Sequence, residues 1–325
     1  MTQAFRILGF LFLLLPMLPV QAQVKPLDAI VAVVNDDVIL KSELDVATDQ
    51  ALETLRARGV AMPPQDILQQ QVLESLVVKR LQLVLAQRMN LTVDDQRLNQ
   101  ALEAFAQRNG MSSLTALKKS LEKQGKDYNR FREDIREELM LSDLHQRMVG
   151  PLVNVSDQEV ENYLANLQAQ GQLEVEYHLA HILIATPQAA SSEQIEAIRK
   201  KAAELLASLR AGADFARTAV EKSQGSNALT GGDLGWIKAP QLPSLFSTVV
   251  PSMHPGDISD LIRSTSGFHI IKLVDVRTNS NQYRGTDIKQ MQEQAKQEIY
   301  QRKFSEQMEQ WLRQLREEAY VEIRL

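Results

Sequence analysis

No cysteine occurs anywhere in the 325 residues. Its absence excludes disulfides, thiolate metal sites, a cysteine nucleophile and anchoring through a lipidated cysteine. An excess of positive charge is also missing: 36 Lys and Arg stand against 41 Asp and Glu, a formal net charge of −5. A chain with that balance has little to offer a phosphate backbone, so no nucleic acid is expected as a partner. Clusters such as Lys118-Lys119 and Arg199-Lys200-Lys201 read as solvated helix faces. No glycine loop of the phosphate-cradling kind occurs, so neither ATP nor any other cofactor is expected, and binding has to be passive and reversible. After the N-terminal stretch no long apolar run follows, so the mature chain is not expected to be membrane-embedded.

What is present begins at the N-terminus. Arg6 precedes an apolar run over residues 7–20, and Val20-Gln21-Ala22 closes it. A short basic region, a short apolar core and small or neutral residues before a cut describe a secretory signal peptide. Cleavage is expected after Ala22. A transmembrane anchor is the alternative, but a span needs about 20 apolar residues.

Two β-branched runs about Asn35-Asp36-Asp37 predict a hairpin over 29–40. Ser42 is expected to cap the helix that follows, with Glu43 and Asp45 in its first turn. Helical spacing predicts further helices over 66–88, 95–109, 113–123 and 127–148. Ser156-Asp-Gln-Glu159 has the form of a capping box opening another, which ends at Gly171. The pattern then changes. Residues 173–184 alternate as a strand, helices start near Ser192 and Asp214, residues 223–235 read as loop, and 268–276 form a second strand. That mixture describes a small α+β domain. Residues 286–318 form one long helical pattern whose stripe is Ile288, Met291, Ala295, Ile299, Met308, Trp311, Leu312 and Leu315. An amphipathic helix of that length needs a partner, and the early helices are the obvious one. A strand-like end, 320–325, follows. The expected architecture is therefore a helical module split in sequence, with the α+β domain inserted between its halves.

Few residues are candidates for chemistry. His178 and His181 lie three apart, which on a strand puts them on opposite faces. No acidic or cysteine complement accompanies them, so no metal site is expected. Strand parity places His181 in a row with Val175, Tyr177, Leu179 and Leu183, and His269 in a row with Ile271 and Leu273. Each alone reads as a core histidine satisfied by a neighbour. Two such residues in strands able to pair make a candidate site.

The segments His181-Ile-Leu-Ile184, Phe215-Ala216, Gly231-Gly-Asp-Leu-Gly-Trp236, Phe246, Gly256-Asp-Ile-Ser259 and Ser266-Gly-Phe-His-Ile-Ile-Lys272 follow the order and spacing of a parvulin-type peptidyl-prolyl isomerase. The resemblance covers about residues 173–276. Beyond it, Val33-Val-Asn-Asp-Asp37, Ser42-Glu43-Leu44, the early helices and the ending Arg302-Lys-Phe-Ser305, Trp311 and Ala319-Tyr-Val-Glu-Ile323 resemble the SurA family of periplasmic chaperones. The resemblance implies an α+β chain: signal peptide 1–22, N-terminal helical chaperone domain 23–171, parvulin-like domain 172–277, and a C-terminal helix and strand, 278–325, packing on the N-terminal domain. It implies a periplasmic location and, as partners, unfolded outer-membrane proteins and aromatic- or proline-containing peptides. It implies that Leu242 and Phe246 line a proline pocket with Leu234 behind and Phe268 beside it; ordinary core packing is the competing reading of Leu242 and Phe246. His181 and His269 would form a paired polar floor, oriented through Ser266 or Ser264. Two departures stand out. Members of the family commonly carry two parvulin domains in tandem, and this chain carries one. Parvulins usually place Cys or Asp ahead of the glycine run, where this chain has Gly225 beside Gln224.

Overall fold

The computed structural model describes residues 28–169, 174–279 and 288–325. The expected cleavage point after Ala22 and the polar linker expected near Gly171 lie outside the described residues, as does the linker expected over 278–285 apart from Thr278 and Asn279, which the structure places in a strand.

The hairpin forms as its β-branched runs require. β1 (Ile30–Val34) and β2 (Asp37–Leu40) pair antiparallel, with Asn35 at φ 52° in the turn. Asparagine tolerates the left-handed region better than most residues. α1 (Lys41–Ala57) begins two residues earlier than the cap reading allowed. Ser42 is inside the helix, and its hydroxyl donates to Asp28. The carboxylate of Glu43 instead accepts the Leu40 N–H at 3.0 Å, satisfying a helix-end donor. α2 (Gln65–Arg88) follows. α3 (Asp95–Arg108), α4 (Leu114–Lys123) and α5 (Tyr128–Met148) are capped by Asp94, Ser113 and Asp127. α6 (Asp157–Ala169) opens on the expected reciprocal box: Glu159 accepts the Ser156 N–H at 2.9 Å, and Ser156 Oγ accepts the Glu159 N–H at 3.3 Å.

The mixed region contains β3 (Glu174–Ala185), α7 (Ser192–Arg210), α8 (Phe215–Lys222), β4 (Asp233–Lys238), β5 (Ile262–Arg263) and β6 (Gly267–Asn279). They form an antiparallel sheet in the order β4-β3-β6-β5. Residues 233–235, read from sequence as loop, belong to β4. Their pattern is hidden by a bulge: Leu179 faces Gly235 and Ala180 faces Asp233, leaving Leu234 unpaired. One face of the sheet is covered by Leu206 and Leu209 of α7 and Phe215 and Ala219 of α8, against Ala180, Ile182 and Ile270. On the other face Tyr177, Leu179, Ile271 and Leu273 pack on Leu242, Phe246 and Val250.

α9 (Ile288–Glu317) and β7 (Val321–Ile323) return to the beginning of the chain. β7 adds to the free edge of β1, with Val34 opposite Val321, which gives a sheet ordered β2-β1-β7. Ala295 and Ile299 of α9 are buried with Val160 and Tyr163 of α6. Trp311 meets His145 of α5 edge-on at 5.8 Å, and Leu315 packs on the cluster that holds Leu44, Leu55, Leu73 and Val77. Ala295, Ile299, Trp311 and Leu315 of the stripe are thus covered by early helices. The same cluster takes Val220 from α8, so the inserted region is docked on the core rather than hung from it. Arg58 to Asp233, at 2.6 Å, and Glu306 accepting the Ser244 N–H at 2.9 Å add polar ties. Among the described residues no helix is long and apolar enough to cross a membrane.

Candidate functional site

β3 and β6 run antiparallel with His181 opposite Ile271 and Leu183 opposite His269. This register puts both imidazoles on the face that carries Leu179, Ile271 and Leu273, so they sit diagonally adjacent. Nε2 of His181 lies 2.9 Å from Nδ1 of His269, and the rings are stacked with centroids 5.1 Å apart. Both are buried, at 5% and 4% exposure, so an unpaired ring nitrogen here would cost its full desolvation. Burial, and then the neighbouring His269 ring, pushes the His181 imidazole down to about 3. Burial, and then the Arg313 guanidinium, pushes His269 down to about 4. Two neutral rings can share one hydrogen bond, one donating and the other accepting. Two protonated rings would have no acceptor between them.

Phe246 stands over the pair, 5.5 Å from the His181 ring and 5.9 Å from that of His269. Leu242 is buried in the same cluster, with Leu234 packed at its margin. The bulge in β4 is what turns Leu234 to this side. The structure therefore gathers His181, His269, Leu234, Leu242 and Phe246. Leu242 and Phe246 both belong to the domain's core cluster, and Phe246 in addition meets the two imidazole rings.

Two expected site residues are placed differently. Phe268 is one residue from His269 on a strand, so its side chain points through the opposite face, across from Ile184. It is buried there, on the side that α7 and α8 cover, and is not part of the pocket. Ser266 makes no hydrogen bond to the imidazoles. Ser264 does: its Oγ lies 2.6 Å from Nε2 of His269 and accepts the Ser266 N–H at 2.9 Å. The hydroxyl of Ser266 accepts from Arg313 of α9. His178 is on the far side from His181, as parity requires, and pairs with Asp233 at 2.8 Å beside Trp236. Among the described residues no group of three or more His, Asp or Glu is placed to hold a metal.

Two glycines of the motifs have a steric reason. Gly232, at φ 76°, lies against the main chain of His181, where an added Cβ would fall 2.4 Å from the carbonyl oxygen. Gly267, at φ 137°, approaches Ile184 in the same way, with only 2.2 Å for a Cβ. Each lets the backbone close on a strand beside a histidine. Gly225 is different, since a Cβ there would find ordinary room, 3.8 Å from Cε1 of His181 and 3.4 Å from Ser223 Oγ. Position 225 thus faces the imidazole pair, and in this chain it brings no side chain. Ser223 and Arg313 escaped sequence reasoning. Ser223 Oγ accepts the Leu183 and Gly225 N–H groups, both at 3.1 Å, and so ties that loop to the site.

Two family models match in series: "SurA N-terminal domain" over residues 27–145 and "PPIC-type PPIASE domain" over residues 181–275. The chain is 50% identical over 256 residues to the Chaperone SurA of Nitrosococcus oceani, an alignment covering 79% of this chain and 60% of that one. It is 43% identical over 263 residues to the Chaperone SurA of Pseudomonas aeruginosa, covering 81% and 63%. The match therefore spans about three-fifths of the length of these curated relatives. A crystal structure of a PpiC-type peptidyl-prolyl cis-trans isomerase domain is 32% identical over 34% of this chain and 97% of its own, with a TM-score of 0.31. Its two matched domains and its curated relatives agree: the chain belongs to the SurA family, with a SurA N-terminal domain followed by a PPIC-type isomerase domain.

Proposed function

We propose that the chain is a periplasmic chaperone that holds unfolded outer-membrane proteins and carries a weak peptidyl-prolyl cis–trans isomerase. In this reading residues 1–22 direct export, residues 23–171 and 278–325 make the holding core, and residues 172–277 act on X-Pro bonds. Family membership and the N-terminal apolar run support the first part. The observation that carries the second is the buried, neutral His181–His269 pair beneath Phe246, Leu242 and Leu234.

The chemistry asked of such a site is modest. Rotation about a peptide bond faces about 18–20 kcal/mol because the C–N bond has partial double-bond character. No bond is broken, so no nucleophile is needed. An apolar wall of Phe246, Leu242 and Leu234 would hold the pyrrolidine ring and exclude water, favouring the less polar twisted amide. Neutral imidazoles would supply polar contact without a fixed charge, and Ser264 would set their orientation.

The test is a prolyl tetrapeptide isomerisation assay on the intact chain. Wild type is expected to exceed the uncatalysed rate, and Phe246→Ala to lose about tenfold or more of kcat/KM, because the ring contact to proline disappears. Phe246→Ala is expected to keep its suppression of aggregation of an unfolded outer-membrane protein. Equal background rates for both proteins would end the isomerase reading. One observation favours a second reading, a domain that only binds peptide: position 225 faces His181 and brings no thiol or carboxylate.

A further inference from the structure

Arg313 belongs to α9 of the core, yet its guanidinium ends on the inserted domain. Nη1 donates to the Thr265 carbonyl at 3.3 Å, and Nη2 donates to Ser266 Oγ. Thr265 and Ser266 are the middle of a tight turn, residues 264–267, closed by the Ser264 N–H to the Gly267 carbonyl at 2.9 Å. This turn delivers Ser264 Oγ to Nε2 of His269 at 2.6 Å.

Ser264 Oγ accepts the Ser266 N–H at 2.9 Å and keeps its own proton and a second lone pair for Nε2 of His269. Donation of that proton to Nε2 gives one continuous order of bonds. A neutral His269 that accepts at Nε2 carries its proton on Nδ1. That Nδ1–H then donates to Nε2 of His181 across 2.9 Å. One chain of bonds therefore runs from a core helix through Ser266, Ser264 and His269 to His181. The planar fork of arginine suits two acceptors a residue apart, which a lysine ammonium does not match in the same way. Glu309 and Glu317, one turn to either side on α9, offset the half-buried cation.

We infer that Arg313 is a positioning residue of the isomerase site, clamping the 264–267 turn from the core so that Ser264 is held against Nε2 of His269 and the His269 proton sits on Nδ1, toward His181. The inference rests on the isomerase reading of this domain. It makes the site complete only while the domain is docked on α9. The charge of Arg313 acts in the same sense, since it disfavours a proton on His269.

The experiment uses the intact chain and three variants: Arg313→Gln, Arg313→Lys and Arg58→Gln. The last removes a tie between core and inserted domain, the Arg58–Asp233 pair, far in sequence from the turn. Two readouts are taken: kcat and KM on a prolyl tetrapeptide, and nitrogen NMR titration of the histidine rings, which reports tautomer and midpoint. Arg313→Gln is expected to lower kcat about tenfold, the loss of a charged hydrogen bond. KM should stay within about twofold. The His269 midpoint should rise and its Nδ1–H tautomer should lose its dominance. Arg313→Lys, with the charge but not the fork, should restore the midpoint and not kcat. Arg58→Gln should leave both readouts at wild-type values. An unchanged His269 tautomer and midpoint in Arg313→Gln overturns the inference. So does a fully wild-type Arg313→Lys, or an Arg58→Gln that reproduces the Arg313→Gln effects. If wild type itself shows no turnover, the isomerase reading fails alone, and the ring spectra still decide the clamp.

Discussion

In the sheet β2-β1-β7 the inward positions Val31, Val34 and Ile39 are apolar and at most 4% exposed; in the sheet β4-β3-β6-β5 the equally buried His181 and His269 carry ring nitrogens. The first sheet joins opposite ends of the chain, and its register is held by burial of one face and by β7 closing the edge of β1. Nothing in it requires a particular orientation of a polar atom. The second sheet has buried ring nitrogens to satisfy: Nε2 of His181 and Nδ1 of His269 meet each other, and Nε2 of His269 meets one hydroxyl. Apolar burial tolerates approximate shape, whereas a buried polar pair demands a defined partner, proton and angle. That contrast locates structure in one sheet and candidate chemistry in the other.

The contrast can be broken most sharply in the apolar sheet. Val34→Asp would place a carboxylate at a position with no accessible surface, facing β7 and the core cluster. A loss of about 4 kcal/mol or more is expected, enough to unfold the core at ambient temperature in many domains. Thermal melting followed by circular dichroism checks it, and a melting point within a few degrees of wild type would refute the role given to this sheet.

In the polar sheet the expected effects are smaller and depend on pH. His181→Leu leaves Nδ1 of His269 buried without its partner and should cost about 2 kcal/mol. The double variant with His269→Leu should cost less than twice that, because no nitrogen is then stranded between them. The pair also predicts acid sensitivity. In the unfolded chain both rings titrate near 6.5, while in the folded chain they are held down to about 3 and about 4. Below pH 6.5 the unfolded chain therefore takes up protons that the folded pair refuses. The stabilisation is complete above about 6.5 and is lost progressively as pH falls toward the folded values, by at most about 1.4 kcal/mol per pH unit for each ring. Urea melts between pH 4 and 7 should show this slope in wild type and a flatter one in the double leucine variant. Equal slopes would refute it.

The smallest effect sharpens the comparison at the outer edge of the same sheet. Arg277 stacks on the half-exposed Trp236 ring at 4.3 Å. Arg277→Ala removes this contact and the surface ion pair with Glu176, and should cost only about 1 kcal/mol. A loss as large as that of His181→Leu would mean that exposed rim and buried floor do not differ as described.

Much of this arrangement was legible in the chain because it depends on short-range rules. Period-two alternation put His181 with Leu179 and Leu183, and His269 with Ile271. Helical spacing on α9 demanded a cover. Ser156 and Glu159 satisfied each other within one turn, as their spacing implied. Other features were hidden for identifiable reasons. β4 lacks alternation because its ladder is interrupted at Leu234. Phe268 looks like part of the histidine motif in one dimension, yet adjacent strand residues face opposite ways. Ser264 and Ser266 were equivalent candidates until the turn showed which hydroxyl reaches the ring.

The amino-acid sequence alone determined the helices, the faces of β3 and β6 and the family, since each follows from a pattern within a turn, a strand or a motif. Only the tertiary structure decided that β7 closes the sheet begun at β1, that Leu234 and Phe246 meet over the imidazoles, and that Arg313 reaches the 264–267 turn from another part of the chain. Those contacts join residues tens to hundreds of positions apart. No local preference encodes them; they exist because burying the α9 stripe and the free edge of β1 brings the distant segments together.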